Sequence, residues 1–277
     1  MLPAMKHRFP ILLVALSLLL SAVPGLAAET NDISKELRSI VVKINDKLRA
    51  GLDTEKDLAG ELKEFDTLLA RHKDAAPIDR VQILVSKGQV YLEVLNEPDK
   101  ALALLRRIKR DFPGVEVNGS TDGAIRAVEY AVIQRTLVEG AEFPDFNEKD
   151  LDGKPLSTAG CKGKVVLIDF WATWCPPCLV DLPQLSNAYE KHHDQGFEII
   201  GISLDDDLPK LRSFLKDKNV PWRQFFDGLH WKNKLAVKYG VDSTPTTYLL
   251  DRQGRIIAKN LRGVDLEKAV ARALATR

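Results

Sequence analysis

The chain has 277 residues, 45% of them apolar and 29% charged, with a formal net charge of +1. These values fit one large or two ordinary globular domains, and the balanced charge gives no electrostatic reason to expect nucleic acid or an acidic surface as a partner. Cys161, Cys175 and Cys178 are the only cysteines, too few for a disulfide scaffold of this length.

At the N-terminus, Lys6 and Arg8 precede the apolar run of residues 11–20, and small residues fill 21–28 before Glu29, the first acid. A basic start, a short apolar stretch and a small-residue cleavage site after Ala27 or Ala28 predict a secretory signal peptide over residues 1–27. The alternative is an uncleaved anchor, but the run before Pro24 and Gly25 falls short of the ~20 residues a span needs. No cysteine near the cleavage site offers a lipid attachment point. The expected mature chain is soluble, or anchored if cleavage fails, and works outside the cytoplasm where disulfides persist.

Residues 28–138 form the next unit, and their pattern is helical. Ile33, Leu37, Ile40, Val41, Ile44 and Leu48 make one stripe, with Asn31 or Asp32 as cap and Gly51 as stop. Leu58, Leu62, Phe65 and Leu69 make a second. Val81, Leu84, Gly88, Tyr91, Leu92 and Leu95 make a third. Pro98 opens a fourth helix carrying Ala101, Leu104, Leu105, Ile108 and Phe112 inward, and a fifth runs through Ile125, Val128, Val132 and Ile133. The third and fourth share the Gly88 and Tyr91 spacing of a tetratricopeptide hairpin, but Ala101 and Pro113 fall one residue late and no second copy exists. An ordinary packed hairpin accounts for the same residues.

Residues 139–277 alternate strands and helices. Residues 164–171, K-V-V-L-I-D-F-W, are a buried central strand by composition, followed by a helix over 176–191 and a second buried strand over 197–204. Asp207 caps a helix begun by Pro209, residues 246–250 and 255–258 flank the turn D-R-Q-G, and an amphipathic helix closes the chain. The prediction is an α/β domain, a mixed sheet with helices on both faces, after an all-α domain.

Between that first strand and helix stands W-C-P-P-C, residues 174–178. Two cysteines at this spacing can be metal ligands, a staple or an exchanging thiol pair. Cys175 at a helix N-terminus has its thiolate stabilised by free N–H groups, and Cys178 returns one turn later within disulfide reach. Pro176 and Pro177 occupy the first turn, where a missing N–H does least harm, and remove donors that would stabilise the thiolate further. This leans the couple towards reduction. A closed zinc site needs four ligands, and His192 and His193 read as a solvated helix face beside Lys191 and Asp194, so no metal is expected. Cys161 reads as a small buried residue.

The run I-D-F-W-A-T-W-C-P-P-C resembles the thioredoxin superfamily, and within it the TlpA-like extracytoplasmic thiol-disulfide oxidoreductases. E-F-P-D-F, D-L-D-G-K, G-K-V-V-L and G-V-D-S-T-P-T-T-Y-L-L-D follow the same order over residues 138–277. The resemblance implies a thioredoxin-like fold and a redox-active Cys175–Cys178 disulfide with no cofactor. It implies that Asp169 is the buried acid exchanging a proton with Cys178, and that Thr244–Pro245 is a cis-proline loop facing the disulfide and pairing with substrate. Pro183 becomes the helix-kinking proline, and Trp174, with Pro176 and Pro177, a landing surface for substrate. Trp171 reads as packed in the fold, Trp222 and Trp231 as core or domain contacts. The implied setting is the bacterial periplasm, the partners disulfide-bearing client proteins and a membrane electron donor, with no nucleic acid. Relatives dedicated to cytochrome c maturation carry an acid after the cis-proline; here Thr246 stands there. The other readings are an oxidase or isomerase of the same fold, or an interaction protein acting through the helices. A peroxiredoxin would need P-x-x-x-T-x-x-C, and Ile168 and Ala172 occupy those proline and threonine positions.

Overall fold

The structure, a computed structural model, describes residues 32–276. The expected signal peptide lies outside the described residues. The chain divides into two compact units between Val128 and Glu129.

In the first unit, α1 (Asp32–Arg49) buries Ile33, Leu37, Ile40 and Ile44, the spacing that lines up one helix face. Gly51, at φ 77°, then reverses the chain, a conformation glycine adopts without steric cost. Thr54 and Asp57 exchange hydrogen bonds: Thr54 Oγ1 donates to Asp57 Oδ2 at 2.5 Å and the Asp57 N–H to Thr54 Oγ1 at 3.3 Å. That reciprocal cap sits one turn ahead of α2 (Ala59–Arg71). Pro77 opens α3 (Pro77–Gln89), which runs into a π-helical turn, Val90–Val94, before Pro98 opens α4 (Pro98–Asp111). The wider turn shifts the inward face by one residue, so Val90 is buried at 2% exposure while Tyr91 is only half-buried. A methyl at Gly88 would meet Leu104 Cδ1 at an ordinary 3.8 Å, so sterics do not demand the glycine that gives the hairpin its tetratricopeptide look. Leu58, Phe65, Leu68, Ile83, Leu84 and Ile108 form the centre of this core. Each contributes roughly 1.5–3 kcal/mol relative to an exposed side chain.

The division between units falls within α5 (Thr121–Thr136). Its C-terminal half belongs to the second unit: Gln134 Nε2 donates to the Tyr239 carbonyl at 2.7 Å and to the Tyr248 hydroxyl at 2.6 Å. Gly240 lets the two backbones close, since a Cβ there would lie 2.9 Å from the Tyr130 carbonyl oxygen.

After α5 the second unit continues with a two-residue antiparallel pair, β1 (Glu148–Lys149) and β2 (Pro155–Leu156). Then follow β3 (Val165–Trp171), α6 (Pro176–His192), β4 (Phe197–Ser203), α7 (Leu208–Asp217), β5 (Arg223–Phe225), α8 (Lys234–Lys238), β6 (Thr246–Leu250), β7 (Ile256–Lys259) and α9 (Gly263–Ala275). The sheet order is β5-β4-β3-β6-β7, with β3, β4 and β5 parallel and β6 and β7 antiparallel. Every residue of β3 and β4 is buried, which explains why both read as largely apolar runs, interrupted only by Asp169 in β3 and by Glu198 and Ser203 in β4. Val165 and Leu167 pack with Leu182 and Leu185 of α6 and Leu266 of α9. Val166, Ile168 and Phe170 pack on the other face with Leu211 of α7 and Leu235 of α8. Helices therefore cover both faces of a mixed sheet with the thioredoxin arrangement.

The pairs β1 and β2, the short β5 and α8 have no counterpart in the sequence prediction, being too short to leave a period. Besides Tyr91, two side chains sit differently from expectation. His192 is buried at 5% exposure, not on a solvated face, and it continues the inward row of Leu185 and Ala188 on α6. Cys161 is half-buried and lines a surface cleft of about 220 Å³.

Candidate active site

β3 ends at Trp171, three residues later comes Trp174, and Cys175 is the N-cap of α6 with φ −94° and ψ 101°. Pro176 and Pro177 fill the first turn and are exposed. Because they carry no N–H, the Cys178 amide is the donor that reaches Cys175 Sγ, at 3.2 Å. Cys175 and Cys178 form a disulfide, Cα to Cα 5.3 Å. Pro183 lies inside α6 as expected.

The connection from β3 to α6 hangs from the end of β4. Asp205, itself buried, accepts the Thr173 N–H on both oxygens at 3.1 Å, the Thr173 hydroxyl at 2.6 Å and the Ser203 hydroxyl at 2.8 Å. These hydrogen bonds hold the carboxylate in place of a cation. On β4, Gly201 makes room for Gln224, whose Oε1 would lie 2.0 Å from an added Cβ and instead accepts the Trp171 indole N–H at 2.9 Å.

Asp169 is 4% exposed on the face of β3 towards α6, with no ion-pair partner among the described residues. Burial first, and then the charge of Asp181, pushes its carboxyl up to about 7. Asp181 stands one turn beyond Cys178 on α6 and pairs with Arg262 at 3.5 Å. A cavity of about 20 Å³, room for roughly one water, is lined by Asp169, Cys178, Asp181, Trp222, Pro245 and Arg262 among others. Cys175 is not among its lining residues. The Thr244–Pro245 peptide is cis, and both residues are half-buried.

The structure thus brings Cys178, Asp169 and Pro245 to one cavity that Cys175 and Trp174 do not line; both cysteines are buried, and Trp174 beside Cys175 is exposed. Trp174 is exposed, Trp171 and Trp222 buried, each where the sequence reading put it. Trp231 packs against the core and also meets Trp174 edge-on, ring centroids 5.7 Å apart, so it belongs to the site as well. Sequence reasoning missed Asp181, Arg262, Asp205 and His230. Only Asp181 left a signal, its spacing of three from Cys178 on a helix. Among the described residues, no group of three or more His, Cys, Asp or Glu is placed to hold a metal, and no helix is long and apolar enough to cross a membrane.

The Redoxin family profile matches residues 138–274. Over 120 residues the chain is 32% identical to a thiol-disulfide oxidoreductase ResA of Bacillus cereus, covering 43% of this chain and 68% of that one. The ResA of Bacillus thuringiensis subsp. konkukian is 33% identical over 128 residues, 46% of this chain and 72% of the relative. Among solved structures, the thioredoxin domain of a thiol-disulfide oxidoreductase from Bacteroides vulgatus is 31% identical, with a TM-score of 0.46, over 50% of this chain and 99% of that one. Fold and cysteine pair define a thioredoxin-like redox protein. The chain belongs to the Redoxin family and is a protein-disulfide oxidoreductase of the ResA-like kind.

Proposed function

We propose that this protein works outside the cytoplasm as a reductant of client protein disulfides, with Cys175 as the attacking thiol and Cys178 as the resolving one. The observation carrying the assignment is the cavity that Cys178 and Asp169 share and that neither Cys175 nor Trp174 lines.

In the reduced enzyme the Cys175 thiolate attacks a client disulfide. A bond forms between Cys175 Sγ and one client sulfur, and the other client sulfur leaves as a thiolate that takes a proton from water. The Cys178 thiol then passes its proton to the Asp169 carboxylate, and its thiolate attacks Cys175 Sγ. The second client sulfur leaves, two electrons have passed to the client, and the enzyme holds the Cys175–Cys178 disulfide. Thr244 and Pro245 line the client's approach, with the Thr244 backbone pairing to the client strand.

The lean towards reduction rests on Pro176 and Pro177, which withhold two N–H donors from the Cys175 sulfur. The N-terminal sequence of residues 1–27 supports export to the periplasm. A membrane donor that carries cytoplasmic electrons would restore the dithiol. The measurement that tests this is the reduction potential of the couple in glutathione or dithiothreitol buffers. A value below about −200 mV supports reduction, and one well above it assigns the protein to disulfide formation or isomerisation.

A further inference from the structure

Beside Cys175 the structure holds an aromatic assembly that the exchange chemistry does not use. The Trp174 indole, 36% exposed, stacks on the His230 imidazole with centroids 4.8 Å apart and planes 16° from parallel. Trp231 meets both rings edge-on, and Leu229 next to His230 is 52% exposed. His230 takes φ 51°, a left-handed backbone that a non-glycine residue adopts only where its surroundings fix it.

Asp227 accepts the N–H groups of Leu229 at 3.0 Å and Lys234 at 2.8 Å, and the Asn233 side-chain amide at 3.1 Å. Asn233, fully buried, also donates to the Ser203 carbonyl at 3.2 Å. Ser203 binds Asp205 through its hydroxyl, and Asp205 holds Thr173, the residue before Trp174. The loop carrying His230 and the loop carrying Trp174 are therefore tied to one point at the end of β4. The stack is built into the fold and does not depend on a client to form it.

We propose that His230 is a specificity-determining residue: with Leu229 it holds Trp174 as a preformed flat surface that takes an aromatic or large apolar side chain flanking the client's half-cystine. This rests on Cys175 being the attacking thiol. Trp174 adjoins Cys175 in the chain, so the client residue next to the attacked sulfur is the one within its reach. A ring held flat loses little freedom on binding, and it presents a π face to an incoming ring.

The test uses two synthetic peptides carrying a cysteine–glutathione mixed disulfide, identical except for Phe or Gly before the cysteine, and compares kcat/KM for their reduction. The wild type should favour the Phe peptide by about fivefold, the size of one aromatic contact, and chiefly through KM. His230→Asn, whose side chain accepts the left-handed backbone but cannot stack, should bring the ratio to about one. His230→Phe, which keeps a flat ring, should restore it. Because each ratio is internal to one variant, a general loss of activity leaves it intact. Equal kcat/KM values in the wild type, or a preference that survives His230→Asn, would overturn the proposal while leaving the reductase reading standing. A wild type that reduces neither peptide nor hydroxyethyl disulfide would overturn both.

Discussion

Asp169 and Cys178 line one cavity of about 20 Å³ beneath the disulfide, and Asp181 stands at the same cavity one helical turn along α6. The cavity has room for roughly one water, and in the proposed mechanism that water would link Asp169 to the partly exposed Asp181–Arg262 pair. In that mechanism, the carboxylate that accepts the Cys178 proton is reset by this route after each turnover.

The rate of the resolving step should therefore follow Asp169. Single-turnover reduction of a glutathionylated peptide should accelerate as pH rises through about 7, where the carboxyl loses its proton. Asp169→Asn should flatten that profile and slow the step by about 100-fold, read by quenched-flow alkylation.

The same group sets a pH dependence of stability. The folded carboxyl ionises near 7 and the unfolded one near the ordinary 3.8, so the folded protein holds the proton more tightly. The stability linked to that proton is complete below about pH 4 and is lost as pH rises through about 7. The loss reaches the order of 4 kcal/mol in alkali. Oxidised Asp169→Asn should match the wild type in urea unfolding at about pH 4 and exceed it at about pH 8.

Asp181 raises the Asp169 carboxyl through its negative charge. Asp181→Asn should shift the inflection in the resolving rate to lower pH, and an inflection that stays in place would show that the two carboxylates do not communicate.

Gly201→Ala would drive a methyl into the Gln224 side chain, whose Oε1, Cδ and Nε2 lie within 2.6 Å of the new atom. A loss of about 1–3 kcal/mol is expected, together with the Trp171–Gln224 hydrogen bond. Combining it with Gln224→Ala should cost less than the sum of the two single changes, as a double-mutant cycle by urea titration would show.

Asp205→Ala would leave the buried Thr173 N–H without an acceptor and release the loop before Cys175. The expected destabilisation is about 3 kcal/mol, measured by equilibrium unfolding, against a smaller cost for Asp205→Asn, which keeps one acceptor oxygen.

What the sequence made legible follows from where the constraints lie along the chain. Cys175, Cys178 and Asp169 sit on one strand–turn–helix segment, and the apolar run around Asp169 already marked it as a buried acid. The β3 to β4 crossover and the β6–β7 turn at Gly254, φ 82°, read clearly because their signals are local. Asp205, His230 and Trp231 reach the site only because β4 and the loop before α8 end beside the β3–α6 turn, a meeting that no short window contains. His192 was within reach of pattern reasoning, four residues after Ala188 on the buried row of α6, but its polar type and charged neighbours outweighed the spacing. The π turn at residues 90–94 is likewise invisible to a strict helical period, which places Tyr91 inward where the structure buries Val90.

The central claim, exchange through Cys175 with Cys178 resolving, is tested most directly by trapping. Cys178→Ser and Cys175→Ser are each expressed in an exporting bacterium, acid-quenched, and resolved by non-reducing electrophoresis with mass spectrometry of the adducts. The account predicts mixed disulfides through Cys175 in Cys178→Ser and few in Cys175→Ser. Adducts accumulating instead through Cys178, or in neither variant, would contradict it.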